Sequence, residues 1–284
     1  MFKAVKIAKG GMLRTLGQAR FFFAIFINVI LIEQLTSSIK KFSEAVQIKT
    51  SPWIFPFLMQ QSYIQMIFLA GVVLLFCDAP FINRGSSFEM IRAGKRKWII
   101  GEIIYVLLLS GIYTLAIIFL SVGLLIPRID LLNEWGKVLG TLAQTNAAEV
   151  FGNSYIKLDY GIMIKYSPCE AMFYSFLIAW CVSFLVGMFI MFLNLLLKRV
   201  PGAIGGMMIA LLSYFQKNFS NLYTMSFFSP ASWMDIGLWN KGVVLSYPTV
   251  EYMVSFFVFF IVGLIIATIF LFNKSEDILK RREA

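Results

Sequence analysis

A chain of 284 residues that is 59% hydrophobic and 14% charged departs from the roughly 45–50% and 25% of soluble domains, which excludes an ordinary water-soluble fold. Its net charge of +10 points to membrane orientation and anionic lipid and is no sign of a nucleic-acid partner. Histidine is absent, which removes the commonest general base and the commonest metal ligand.

In chain order, residues 1–20 come first. Phe2, Val5, Met12 and Leu16 share one side of a helical wheel and Lys3, Lys6 and Arg14 the other, with Gly10-Gly11 interrupting. This predicts either an interfacial amphipathic helix on membrane lipids or a basic tail that sets orientation. A first, short span follows over 21–32, hemmed in by Arg20 and Glu33. A second, over 57–77, is free of charge.

The loop 83–97 holds Ser86-Ser87-Phe88-Glu89, a capping-box pattern, and Gly94, a helix stop. A helix of about two turns between them places Phe88 and Ile91 on one face. Lys95-Arg96-Lys97 and Trp98 read as markers of headgroup level. The third span covers 103–126, a polar loop 127–169 follows, and the fourth span covers 171–197. After Lys198-Arg199-Val200-Pro201 a weaker fifth span runs over 200–216. Its Gly202, Gly206 and Ala210 form a small-xxx-small row for close helix packing. The uncharged stretch 218–234 is either a packed outer loop or a segment dipping back into the membrane, and 254–272 is the sixth span. The expected fold is therefore all-α: a polytopic helical membrane protein forming one domain over 1–284.

Lysine and arginine decide the orientation. The N-terminal segment, 83–97, 198–199 and 273–284 carry sixteen of them, and the three loops on the other side carry nine over much longer stretches. Both termini and the 83–97 loop are thus expected in the cytoplasm, with 127–169 extracellular. A bacterial cell membrane is the expected location.

Chemistry is scarce. No HExxH, GxSxG or GxxxxGK[ST] pattern occurs, and the three cysteines form no CxxC pair. No catalytic residue and no metal site are assigned. Among span polar groups, Asn28, Gln61 and Gln65 could line a cargo path or could bond helix to helix. Asp78 and Glu102, near one set of span ends, and Glu33, Glu170 and Glu251, near the other, read as boundary carboxylates within reach of water.

The stretch Asn83-Arg84-Gly85-Ser86-Ser87-Phe88-Glu89-Met90-Ile91-Arg92-Ala93-Gly94-Lys95-Arg96-Lys97-Trp98-Ile99-Ile100-Gly101-Glu102 resembles the cytoplasmic loop of type-2 ATP-binding-cassette (ABC) exporter permeases. Phe228-Ser229-Pro230-Ala231-Ser232-Trp233 resembles the segment before their last span, and the order of parts agrees along the whole chain. The resemblance implies a permease subunit that docks a separate ATPase through Phe88, Glu89, Ile91 and Arg92, paired with a second permease. ATP and Mg would then sit on the ATPase, with no cofactor on this chain. Lining rich in Phe, Met and Ile suits an amphipathic or hydrophobic cargo such as an antimicrobial peptide, drug or lipid-like molecule. The other readings are a secondary transporter or channel, and a non-transporting scaffold or immunity protein.

Overall fold

The computed structural model describes residues 2–82, 86–145, 147–150, 158–197, 201–218, 223–239 and 247–283. Twelve α-helices follow one another among them: α1 Phe2–Leu16, α2 Ala19–Val46, α3 Phe55–Leu58, α4 Ser62–Phe76, α5 Ser86–Ala93, α6 Lys95–Gly123, α7 Gly136–Gln144, α8 Ala147–Val150, α9 Tyr160–Lys165, α10 Pro168–Leu197, α11 Pro201–Asn218 and α12 Val250–Glu283. Three 3-10 turns, Tyr223–Phe228, Pro230–Met234 and Ile236–Leu238, lie between α11 and α12. No strand occurs among the described residues, only one isolated bridge between Thr50 and Ile129.

Four helices are long and apolar enough to cross a membrane: α2, α6, α10 and Val250–Lys274 of α12. The other two predicted spans are shorter. α4 has 15 residues, about 22 Å against a hydrocarbon core of ~30 Å. α11 has 18 residues, and its last turn, Phe215-Gln216-Lys217-Asn218, is mostly polar.

Three expectations need correction. The first span is no short segment over 21–32, because α2 continues through Glu33, Lys40 and Lys41 to Val46 and keeps burying Leu35, Ile39 and Phe42. The second span is not continuous: it breaks at Met59–Gln61, where Gln61 is extended (φ −87°, ψ 117°). The released carbonyls find side chains, with Gln65 Nε2 donating to Met59 O at 2.6 Å and Lys217 Nζ to Gln60 O. In α1, Gly10-Gly11 interrupts nothing. The buried face is Ala4, Ala8 and Thr15, and Gly11 lets the Tyr105 ring of α6 approach. Trp98, at the start of α6, is fully buried and stacked on Phe272 of α12 at 5.3 Å.

Side-chain and backbone bonds sort the helix ends into two groups. At one end Arg20, starting α2, pairs with Asp78, just past α4, at 2.6 Å. There Asn194 of α10 donates to the carbonyls of Cys77 and Ala79 (2.8 and 2.7 Å) and accepts from the Gly202 amide of α11 (3.0 Å). The Trp98–Phe272 stack joins the start of α6 to α12 at the same end. At the opposite end Lys217, closing α11, pairs with Asp235 at 3.3 Å. The Thr50 amide, past α2, donates to Arg128 O, past α6, at 3.0 Å. Tyr252, in the first turn of α12, donates to Phe227 O at 3.1 Å. Helices α2, α4, α6, α10, α11 and α12 therefore alternate in direction. The first end carries Lys3, Lys6, Lys9, Arg14, Arg20, Arg92 and Lys95–Lys97, and is called the basic end below.

α10 is the hub, packed on α4, α6, α11 and α12. Its start is set by a reciprocal cap: Ser167 N donates to Glu170 Oε2 at 2.9 Å and Glu170 N to Ser167 Oγ at 3.4 Å. Glu170 is thus a capping residue. The 3-10 segment is buried from Ser229 through Ile236, with Trp233 edge-on to Phe256 and Phe257 at 5.0 and 5.4 Å. α12 is the least embedded of these four long helices, with only 17% of its apolar window buried.

Candidate functional site

At the basic end α5 forms a short shelf between α4 and α6. Gly94 has φ +85°, a conformation glycine adopts freely, and α6 begins at the next residue. The Gly94 amide still donates to Met90 O (2.9 Å) while Gly94 O accepts from the Trp98 amide (3.0 Å), so both helices are closed at one residue. Phe88 and Ile91 stand away from the body, 71% and 82% exposed. The rest of the shelf is held by α1: Arg14 bonds Glu89 at 2.9 Å and Lys3 Nζ donates to Arg92 O at 3.1 Å. Half-exposed ion pairs contribute at most ~1 kcal/mol each. Their role here is placement, fixing an apolar pair outward while Glu89 turns toward α1 and the Arg92 side chain stays exposed. Of the four predicted docking residues, Phe88 and Ile91 therefore face the surroundings and Glu89 is engaged within the chain.

Behind the shelf lies a polar cavity of about 360 Å³, bounded by α1, the start of α2, the segment after α4, and α6. Arg14, Arg20, Asp78, Glu89 and Glu102 supply its charges. Thr15 Oγ1 and Tyr105 Oη lie 2.6 Å apart on its wall. Glu102 is no boundary carboxylate in reach of bulk water: it is 7% exposed, because α1 lies across α6 with Gly101 against the Ala4 carbonyl and Ile7. A lone glutamate after a basic cluster is visible in the sequence. The helix that covers it, about ninety residues earlier, is not.

The three predicted cargo-path residues are spread out. Asn28 is 1% exposed and donates to Tyr113 Oη and Ala24 O, each at 2.9 Å. Gln65, also 1% exposed, closes the α3–α4 break. Gln61 is half-buried beside a crevice with Leu35, Ile39, Phe57 and Leu158. Asn28 and Gln65 thus spend their amides on packing, and the structure does not bring the three together. Gly202, Gly206 and Ala210 are all buried on one face of α11. A Cβ on Gly202 would meet Asn194 and the Ile190 carbonyl, and one on Gly206 would meet Ile190 and Val73 at 2.8–3.0 Å. This face packs on α10 and α4. The three cysteines, Cys77, Cys169 and Cys181, are free, and no group of side chains able to hold a metal occurs among the described residues.

Comparison with protein-family models, with curated proteins and with solved structures returns no match.

Proposed function

We propose that this chain is the membrane-spanning permease subunit of an ATP-driven exporter of the type-2 ABC class. It has six spans, counting α4 and α11, and both termini lie in the cytoplasm. The observation that carries the reading is α5: a braced eight-residue helix at the basic end, presenting Phe88 and Ile91 outward between two bundle helices. An apolar pair held out of its own protein and beside water is best explained by a partner that covers it. In this reading the partner is a cytoplasmic ATPase that binds ATP and Mg. A second permease copy, identical or related, completes the assembly, and nucleotide-driven closure moves an amphipathic or hydrophobic cargo outward.

The test is purification of the tagged chain from its native host. An ATPase should co-purify, and Phe88→Ala with Ile91→Ala should weaken its retention at least tenfold, since burying one such side chain is worth ~1.5–3 kcal/mol. Unchanged retention, or no ATPase under mild extraction, would remove the reading.

One observation favours a second reading. The middle helix of each half, α4 and α11, is short, and the two pack on each other; α4 is preceded by a break. Paired short or interrupted segments mark substrate sites in secondary transporters. Uptake or efflux in proteoliposomes that needs an ion gradient and no ATPase would decide for it.

A further inference from the structure

We propose that a basic recess between α1 and α5 is the second half of a docking surface, and that its occupant is a cytoplasmic protein presenting carboxylates beside an apolar socket. The inference rests on the exporter reading and adds to it the chemistry of the partner's face.

α1 has three flanks. Ala4, Ala8, Gly11 and Thr15 seat it on α6. Met12 and Leu16 pack on the apolar core, with Val5 on the same side. Lys3, Lys6, Gly10 and Arg14 follow one another at helical spacing on the remaining flank, the one that faces α5. Between that flank and Arg92 and Ala93 of α5 lies a recess of about 430 Å³. Along α6 the order is α5, then α1, then the apolar body: α5 ends just before Gly94, where α6 starts, and α1 crosses at Gly101 and Tyr105. The recess therefore lies on the side of α1 away from the hydrocarbon, and its occupant comes from water rather than from the bilayer.

Its charge is unbalanced. Among the described residues neither Lys3, Lys6 nor Arg92 meets an acid: Lys3 Nζ reaches the Arg92 carbonyl, and Glu89 in the wall is taken by Arg14 at 2.9 Å. The count over the full sequence agrees. Segments 1–20, 78–102, 198–199 and 273–284 hold sixteen lysines and arginines against six acids, so the whole net charge of +10 belongs to them and the rest of the chain is neutral. Three of the six acids, Glu276, Asp277 and Glu283, come with four cations in their own segment. The chain has no surplus of acid at this end with which to fill the recess.

Positive charge alone would suit any anion. What selects a protein is the apolar pair beside it, since Phe88 and Ile91 stand exposed on the same two turns of α5 that carry Glu89 and Arg92. An apolar pair and a cationic recess about one helix width apart, ~10 Å, match one surface that carries an apolar pocket with an acidic rim.

The test uses the full-length chain in phosphatidylcholine nanodiscs and the ATPase that co-purifies with it, stripped and re-added. Association should slow about tenfold between low salt and about 0.5 M salt, because rim charges act on the on-rate and are screened. Lys6→Gln with Arg92→Gln, two exposed side chains, should slow it about as much at low salt and remove most of the salt dependence. Phe88→Ala with Ile91→Ala should instead speed dissociation and leave that dependence in place. In the wild type, carbodiimide coupling, which joins lysine to carboxylate, should link Lys3 or Lys6 to an Asp or Glu of the ATPase, mapped by peptide mass. Salt-independent association, or a charge variant indistinguishable from wild type, would overturn the acidic partner and leave the exporter reading standing. So would coupling only to Glu276, Asp277 or Glu283 of this chain, or protection of Lys3 and Lys6 from acetylation by phosphatidylglycerol nanodiscs equal to that by the ATPase. If no ATPase co-purifies, the exporter reading itself falls, and this inference with it.

Discussion

Tyr113 is where three helices close. From α6 its hydroxyl donates to Phe68 O of α4 at 2.9 Å and accepts from Asn28 of α2 at 2.9 Å, with the ring fully buried. Gly71 makes this possible, since a Cβ there would collide with the tyrosine oxygen and sit 3.1 Å from the Ala24 carbonyl. Gly71→Ala should therefore lower the melting temperature in detergent, overpacking costing about 1–3 kcal/mol. Tyr113→Phe alone should lower it less, at ~0.6 kcal/mol per hydrogen bond lost in a membrane protein. The double variant should be more stable than the sum of the two losses, because the hydroxyl that clashes is gone. Additive losses would show that the glycine serves another contact. Asn28 was legible in the sequence as a polar group needing a purpose. Its partner stands 85 residues away, so nothing local could show whether that purpose was cargo or packing.

At the scale of elements, the sequence was clearest for the bounds of the short helix α5. The start at Ser86, the stop at Gly94 and the apolar pair between them lie where the short-range pattern put them. It misled where a window averages. Residues 57–77 contain no charge, and an uncharged run looks like one helix even when Gln61 turns extended inside it. α1 misled differently: the wheel drew attention to its large residues, yet it seats on α6 by its small ones, Ala4, Ala8 and Gly11, because close approach between helices depends on small side chains. The break has a testable anchor in Lys217, which meets both the Gln60 carbonyl and the 4%-exposed Asp235. Lys217→Met removes the cation beside a buried carboxylate and should destabilise the fold more than Lys217→Met with Asp235→Asn, by on the order of 1–3 kcal/mol. Equal melting temperatures for the two variants would mean that Asp235 relies on the Gly237 amide instead.

Across the whole molecule, alternating helix directions and the charge bias make one statement about sidedness. In the six-span reading, sixteen lysines and arginines fall in the short segments of one side and nine in the long loops of the other. Reporters at Gly94 and at the C-terminus should be cytoplasmic, and reporters at Ala45, Thr145 and Trp239 should not. A C-terminus found outside would require an odd number of spans and would end the six-span reading. The broad class was legible because lipid demands long uncharged helices. Which of them form the hub was not, since α10 and α12 look alike in composition and differ in how many neighbours surround them.

That difference between α10 and α12 has a consequence for how the protein is made. Three of the four helices that α10 packs on, α4, α6 and α11, precede α12 in the chain. The last helix then joins a finished body at two fastenings, the Trp98–Phe272 stack at one end and the Trp233 ring cluster at the other. A gene cut between the codons for Trp239 and Tyr247 should therefore yield two polypeptides that find each other in the membrane. The larger should be trypsin-resistant by itself, and Trp98→Ala should loosen the pair without unfolding it. Rapid degradation of the larger piece when expressed alone would instead make α12 a partner in folding rather than its final addition.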